Sequence, residues 1–512
     1  MQTKLIWDKI RMLADVRRKT AFFSVIIIGL LAHIYKFTNT LPNHDALFAL
    51  YTNNNVIGSG RWFLAVACAP SSIYDLPWIN GVFSLLWIGL TALVLIDYFE
   101  IKSKPAVILL SGLLVTFPCV VNTFLFEFTA DAYFMSMLLA TLGANFVKLG
   151  RNKVKDLVLS VICICLSCGI YQAYLSFALL LAVCHFVLVL LEGENSNKEC
   201  FRWIVNQVVV YSLAIAAYYG IWKLLMFVQG TDVNSYIGFT GFRGYSLQNI
   251  IVGVKNTART LAFFFLSRNI FEYGLSVYTV LNLLFLATLA VAVLVAVIKS
   301  GIIKRKVQFL LLVLCFVAMP VFACVWNFVT VDMSYHMVML QSLCVLYILL
   351  LVLSEDFLGI RFRELVCLLL LVLTAKFTIQ ANQVYFEMNR TIERSRATAI
   401  EMISRIHQLD DGSIKEIALV GSIERSLVNI GNSEYDEIWV NGHQVRNNLV
   451  YDHVYGNLFL QCYTDSHYSP VSEAVLADMG SSSEVGEMSI WPFADSVRII
   501  DGVAVVKLSE VN

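Results

Sequence analysis

A chain of 512 residues with 58% apolar residues and only 14% charged ones has too few polar groups to cover a water-facing surface, for which roughly 25% charge is usual. The formal net charge is zero, so bulk charge gives no argument for a nucleic-acid partner. Twelve cysteines are present, but eleven lie in or beside apolar blocks and only Cys462 falls in the polar tail, which excludes a disulfide-stapled scaffold.

The first nineteen residues are polar and basic (Arg11, Arg17, Arg18, Lys19), and an apolar run follows from Ala21 through His33 and Tyr35 without a small-x-small cleavage site. This reads as a cytoplasmic arm, residues 1–19, leading into an uncleaved first span. A span needs about 20 mostly apolar residues to cross roughly 30 Å of hydrocarbon. Eleven segments qualify: 20–37, 77–97, 105–124, 131–148, 156–171, 173–191, 203–228, 275–298, 307–327, 335–354 and 364–380. The pair at 156–191 reads either as two spans with a tight turn near 169–172 or as one long helix with an interfacial piece. The apolar stretches 61–70 and 259–267 are too short to cross and read as interfacial or re-entrant. The expected fold is therefore mainly α, a polytopic transmembrane helical bundle over 20–382.

Lys and Arg in short loops set the orientation. The arm, Lys102/Lys104, the run from Lys148 to Lys155, Lys198/Arg202, Lys299 to Lys306 and Arg361/Arg363 fall on alternate loops. They are assigned to the cytoplasm, and an odd number of spans then places the tail outside. Two outer segments are long, 38–76 and 229–274, and long loops are uncommon unless functional. The tail, 383–512, changes character. Val384–Gln408 reads as a helix, and Ile414–Val420, Glu437–Val440, Leu458–Gln461 and Val503–Leu508 read as strands, a small α/β or α+β soluble extracytoplasmic domain.

The first outer segment is the richest in chemistry. It reads Asn43-His44-Asp45-Ala46, then Asn53-Asn54-Asn55, then Gly58-Ser59-Gly60-Arg61-Trp62. A carboxylate there can serve as general base toward a sugar hydroxyl, and an arginine can hold a phosphate bidentately. The same composition also suits an ordinary solvated loop. Glu127 and Asp131 lie four apart at the outer ends of spans three and four. They would share a face if the turn is helical, binding acceptor hydroxyls or a cation; the alternative is a polar helix cap at the membrane surface, with Thr129 or Asp131 capping span four. Asp332 and His336 show the same spacing near span ten, as a proton relay, two ligands of an incomplete metal site, or an interfacial polar patch. His185 lies inside a span and reads as structural. Cys163, Cys165 and Cys168 diverge around a helix. Trp78, Trp203 and Trp326 suit membrane belts, while Trp62 beside Arg61 is a candidate sugar platform. Walker A, GxGxxG, HExxH and GxSxG patterns are absent, which argues against a nucleotide-sugar donor or an ATP-driven pump.

The chain resembles the GtrII-type glucosyltransferases, multi-spanning enzymes of the GT-C class. The resemblance rests on the basic N-terminus, on NHDALFALYTNNNVIGSGRW after the first span, on FEFTADAYFMSMLLA, and on the closing IWPFADSVRIIDGVAVVKL. It implies transfer of a hexose, usually glucose, from a polyprenyl-phosphate carrier to a surface glycan such as O-antigen, on the outer face of the bacterial inner membrane. It also implies a separate donor synthase and flippase, with membrane lipids as surroundings. Asp45 stands between His44 and Ala46 rather than in the paired-acid pattern common in the family, a departure that argues against a metal-binding DxD role and leaves a single-base role open. On this resemblance Asp45 is the base and Arg61, Arg243 and Arg259 are cations for the donor phosphate. His44, Glu127, Asp131, Asp332 and His336 are then auxiliary or acceptor groups. The alternative for each arginine is headgroup anchoring. A divalent cation stays open as cofactor, with no ligand set to identify one. The competing functions are a transporter or lipid-carrier flippase, which should show inverted repeats, and a polysaccharide polymerase; no repeats are visible.

Overall fold

Backbone groups in hydrocarbon must be satisfied within their own segment, so apolar runs become helices. The computed structural model describes residues 15–49, 56–69, 76–148, 153–233, 246–266, 276–330, 335–423 and 448–510. Contacts divide these into two units. One holds 15–38 and 56–382; the other holds 39–49, 383–423 and 448–510.

The first unit is helical. Its helices begin with α1 (Val16–Thr38), while α2 (His44–Ala49) belongs to the second unit. There follow α3 (Leu64–Cys68), α4 (Pro77–Tyr98), α5 (Lys104–Thr116), α6 (Pro118–Leu125), α7 (Ala130–Phe146), α8 (Val154–Ile170), α9 (Tyr174–Glu192), α10 (Asn197–Gln229), α11 (Leu247–Leu266), α12 (Val277–Ser300), α13 (Lys306–Ala323), α14 (Trp326–Val329) and α15 (Cys344–Phe357). The last, α16 (Ile360–Leu409), belongs to the first unit up to Asn382. Local chemistry sets several starts. Ser103 caps α5 by accepting the Ala106 N–H at 3.3 Å, with Pro105 in the first turn. Ser196 and Glu199 form a reciprocal capping box on α10.

Among the described residues, seven helical segments are long and apolar enough to cross a membrane: α1, α4, α5 with α6, α9, α10, α12 and α13. The count of eleven rests on four further segments: α7 and α8 with 17 residues each, α15 with 14, and the apolar start of α16. The region 156–191 forms two helices, α8 and α9, broken at 171–173. The span expected at 105–124 breaks at Phe117, because Pro118 opens a new helix. The span expected at 335–354 starts late: 3-10 turns occupy Met337–Met339 and Gln341–Leu343 before α15. The stretch 259–267 is not a separate short piece. Its described part is the end of the 20-residue α11, which buries Gly253, Thr257, Thr260 and Phe264 and turns Leu247, Ile250, Ile251 and Val254 outward. The outer helices α10, α12 and α13 likewise expose apolar side chains such as Val208, Leu294 and Leu314, as a lipid-facing surface requires.

Close helix packing uses small residues that bond across the seam. Ser136 on α7 donates to the Ser167 carbonyl of α8 at 2.9 Å, and Ser160 donates to the Gly143 carbonyl at 2.7 Å. The segments with basic loops are tied together at one end. Arg18 meets Asp97 at 2.5 Å, Arg17 donates to the Ile101 carbonyl at 3.0 Å, Lys148 meets Glu100 at 2.7 Å, and Glu355 accepts the Lys102 and Ser103 N–H groups. Gln308 donates to the Asn195 carbonyl at 2.8 Å, and Glu192 lies within electrostatic reach of Glu100, Lys148 and Asp356.

The second unit contains a four-stranded sheet of β1 (Glu416–Val420), β2 (Ser469–Pro470), β3 (Val497–Ile500) and β4 (Val503–Lys507), in the order β2-β1-β4-β3. β1 runs parallel to β2 and β4, and β3 pairs antiparallel with β4. Asp501 and Gly502 turn that hairpin with φ of 49° and 78°, the left-handed pair that a two-residue hairpin demands. The helices are α17 (His453–Tyr463), α18 (Glu473–Gly480) and α19 (Ser483–Gly486), with α2 and α16 from Gln383 onward. Ile417, Leu419, Ala504 and Val506 pack with Met402, Ile406, Phe459 and Leu460 on one side of the sheet. Ala418, Val420 and Val505 pack with Val485 and Met488 on the other. The strand expected at Leu458–Gln461 is instead helical, inside α17. Asp452 caps that helix through the Tyr455 N–H at 2.8 Å, and His453, Gly456, Asn457 and Leu460 are buried at helical spacing. The strand expected at Glu437–Val440 lies outside the described residues.

Candidate active site

Asp45 sits in the first turn of α2. Asn43 caps this helix, its Oδ1 accepting the Ala46 N–H at 2.9 Å. A carboxylate is favoured in such a turn because the unpaired N–H groups carry partial positive charge. His44 places Nε2 at 3.3 Å from Asp45 Oδ1. The imidazole meets the Tyr455 ring edge-on at 5.3 Å, and Phe48 meets the same ring at 5.1 Å. Leu47 enters the core beside Met402, Ile406 and Phe459. The helix is thus anchored by Leu47 and the aromatic contacts, while the Asp45 side chain stays 43% exposed and His44 is nearly covered. The result is a fixed, water-accessible carboxylate with an imidazole at its side, a pair placed to accept and pass on a proton.

Arg61 stands in a different setting, in the first unit. The 3-10 turn Ile57–Ser59 ends at Gly60, with φ 75°. Trp222 of α10 donates its indole N–H to the Ile57 carbonyl at 2.7 Å, and Gln172 donates to the Ser59 carbonyl at 2.9 Å and to the Tyr218 hydroxyl at 3.0 Å. The Phe63 N–H donates to the Gly169 carbonyl at 2.8 Å. A Cβ at Gly169 would come within 2.7 Å of the Trp62 ring, so only glycine permits that approach. Held in this way, Arg61 donates Nη1 to the Tyr133 hydroxyl at 3.0 Å and lies 5.0 Å over the Tyr171 ring. Tyr133 and Tyr171 stack at 4.1 Å, tilted by only 3°. Arg61 Nε is shielded and has no hydrogen-bond partner among the described residues. The guanidinium is oriented by aromatic surfaces and keeps donor capacity for an anion. Trp62 is part of the packing that fixes Arg61.

Glu127 and Asp131 are both buried, each about 2% exposed, in the 3-10 turn Glu127–Thr129 and the first turn of α7. Glu127 forms a buried ion pair with Lys36 at the end of α1. Of the two expected caps of α7, Thr129 makes no side-chain bond to that helix; its hydroxyl turns back to the Phe126 carbonyl. Lys36 escaped the sequence reading. Its signal is a lysine within the last turn of an apolar span, a position where a charge requires a partner.

The remaining expectations separate. Arg259 lies on the exposed side of α11. His336 is exposed and extended, with φ −90° and ψ 151°, ahead of the turn at Met337. Arg243, Asp332 and Asn53–Asn55 lie outside the described residues. Among the described residues, no three His, Cys, Asp or Glu side chains gather to hold a metal ion. His185 is buried beside Tyr98, ring centroids 4.9 Å apart. Trp203 is no belt residue: it is buried, stacks on Phe186 at 4.5 Å and donates to the Val147 carbonyl at 3.0 Å. Trp78 is exposed, as a belt position should be.

A family model described as Glucosyl transferase GtrII matches residues 34–349, more than half of the chain, from the last turn of α1 into α15. No curated protein and no solved structure matches.

Proposed function

This chain belongs to the GtrII glucosyl transferase family, and from that premise we propose that it moves glucose from a polyprenyl-phosphate carrier to a surface glycan, at the outer face of the bacterial inner membrane. The observation that carries the reading is the family match over 34–349, in a chain with seven helical segments among the described residues that are long and apolar enough to cross a membrane. A donor whose lipid tail stays in the bilayer presents its sugar phosphate at headgroup level, where a membrane enzyme needs no nucleotide-binding domain. A separate synthase and flippase supply that donor.

Asp45 is the proposed base. It takes the proton of an acceptor hydroxyl as that oxygen bonds to the anomeric carbon, while the bond from that carbon to the phosphate oxygen breaks and polyprenyl phosphate departs. Its anchored, half-exposed carboxylate, with His44 at 3.3 Å, supports this role. Arg61 is the proposed partner for phosphate oxygens, supported by its oriented guanidinium and uncommitted Nε. Arg243 and Arg259 remain secondary candidates for the same charge. Glu127, Asp131, Asp332 and His336 remain auxiliary candidates.

The test uses membranes carrying wild type or Asp45→Asn, supplied with polyprenyl-phosphate glucose and a glycan acceptor. Wild type is expected to label the glycan, and Asp45→Asn to lose about 100-fold or more, the usual effect of a general base. Full transfer by a normally folded Asp45→Asn protein removes Asp45 as base. Solute movement without sugar transfer from any polyprenyl donor replaces the whole reading with transport.

A further inference from the structure

Hydroxyl and amide side chains within membrane helices normally satisfy themselves, and this chain follows the rule at many places. Thr91, Ser111, Thr116, Thr123 and Thr141 each donate to the carbonyl four residues back at 2.8–2.9 Å. Asn80 and Ser84 do not. They sit four residues apart on α4, at 3% and 0% exposure. Asn80 Nδ2, Asn80 Oδ1 and Ser84 Oγ all have no hydrogen-bond partner among the described residues. Leaving such groups unmet in a dry interior is costly, so an unfilled amide points to something that binds there.

The surroundings identify the end of the bundle and the chemistry. Gly81 and Gly89 bring α4 against α1: a Cβ at Gly81 would lie 2.5 Å from the Phe37 ring, and one at Gly89 would lie 2.8 Å from the Phe22 ring. At roughly 100° per residue, Asn80 and Ser84 lie more than a quarter-turn round from the middle of that seam, on the side left for the other partners of α4, which include α7 and the 3-10 turn at Glu127. Phe37 also packs on Phe124, ring centroids 5.1 Å apart, and the neighbouring Lys36 holds Glu127 through Oε2. Glu127 Oε1 is buried and has no hydrogen-bond partner among the described residues. One amide with both a donor and an acceptor to spare, one hydroxyl and one carboxylate oxygen thus stand at the same end of the bundle. This set complements adjacent hydroxyls of a pyranose ring, each of which both donates and accepts.

We infer that Asn80, Ser84 and Glu127 form a hexose-binding subsite between α4 and the Glu127 turn, with Lys36 fixing the Glu127 carboxylate. The assignment rests on the transferase reading for the source of the sugar, but not for the binding itself. The hexose is either the glucosyl unit of the donor or a ring of the acceptor glycan. No chemical step is assigned to these residues.

The experiment uses the full chain in lipid nanodiscs with methyl glucoside as probe, observed by saturation-transfer NMR, in wild type and Asn80→Leu. Wild type is expected to give a saturable signal that Asn80→Leu loses. The ligand-free Asn80→Leu protein should melt at or above the wild-type temperature, because it no longer buries an unmet amide. A structural asparagine would instead lower that temperature while leaving the signal intact, which overturns the proposal. Asn80→Ala is read in the same way should the leucine variant fail to fold.

In the transfer assay, Asn80→Leu should raise one KM by about tenfold, the usual effect of losing one buried sugar hydrogen bond, with kcat changed much less. A rise in donor KM assigns the donor sugar, and a rise in acceptor KM assigns the glycan. Transfer with both KM values unchanged removes the subsite and leaves the transferase. Probe binding lost in Asn80→Leu, with no transfer in wild type, leaves the subsite and removes the transferase.

Discussion

Lys36 and Glu127 illustrate how a membrane interior disciplines single residues. Each is about 2% exposed, and they face each other across α1 and the turn before α7. Removing one member of a buried pair leaves an uncompensated charge and typically costs about 3–5 kcal/mol, whereas replacing both with apolar groups is often neutral. Lys36→Met alone is therefore expected to lower the melting temperature sharply, and Lys36→Met with Glu127→Met to recover most of it. A double mutant no more stable than the single one would mean that the pair does not carry the effect. Asp45 is the opposite kind of residue. Its carboxylate is partly open, 43% exposed, and no buried counter-charge is needed to hold it. Both acids were legible as candidates because an acid beside a span is rare in so apolar a chain. Which of them is paired was not legible, since Lys36 and Glu127 are 91 residues apart.

At the scale of elements, short pieces hold the candidate groups, and capping holds the short pieces. α2 has six residues, too few for a helix stable by itself. Asn43→Ala should cost it about 1 kcal/mol. We expect faster hydrogen exchange over 44–49 and lower transfer, without loss of expression; unchanged exchange would show that Leu47 and the Tyr455 contacts suffice. The end of α16 offers a pH test. Burial raises the Asp410 pKa, but the Ile414 and Gly412 N–H groups and the Tyr468 hydroxyl outweigh it and hold the carboxyl below its ordinary 3.8. A depressed folded value means that the stabilisation is present above 3.8 and is lost as pH falls through the lower folded value. Asp410→Asn should flatten the acid limb of the melting profile in that window; a profile parallel to wild type would remove Asp410 as its cause. Element type was legible where the apolar run was long. It failed for Leu458–Gln461, where three apolar residues in a row carry no period of their own and the Asp452 cap decided for helix.

For the whole molecule, the alternating basic loops predict one shared side, and contacts among 17–18, 97–103, 148 and 355 tie several of them together. The orientation remains a prediction. A reporter joined after Asn512 is expected to be active only outside the cytoplasm, and cytoplasmic activity would overturn the odd number of spans. The division of the chain cuts through the first outer segment. Residues 39–49, with His44 and Asp45, join the unit built around the sheet, while 56–69, with Arg61, join the helical unit. Nothing in local composition marks that division. It follows from Leu47 finding its neighbours on α16 and α17, more than 340 residues later.

The amino-acid sequence by itself determined the membrane class, the apolar segments, the charge alternation and the family, because hydrophobicity and net loop charge are sums over neighbours in the chain. Tertiary structure decided what those sums cannot contain. It selected Lys36 as partner of Glu127, set Tyr133 and Tyr171 around Arg61, and left the side chains of Asn80 and Ser84 buried without hydrogen-bond partners among the described residues. Each depends on which helices meet and at what register, and a side chain's neighbours across such a seam come from distant parts of the chain.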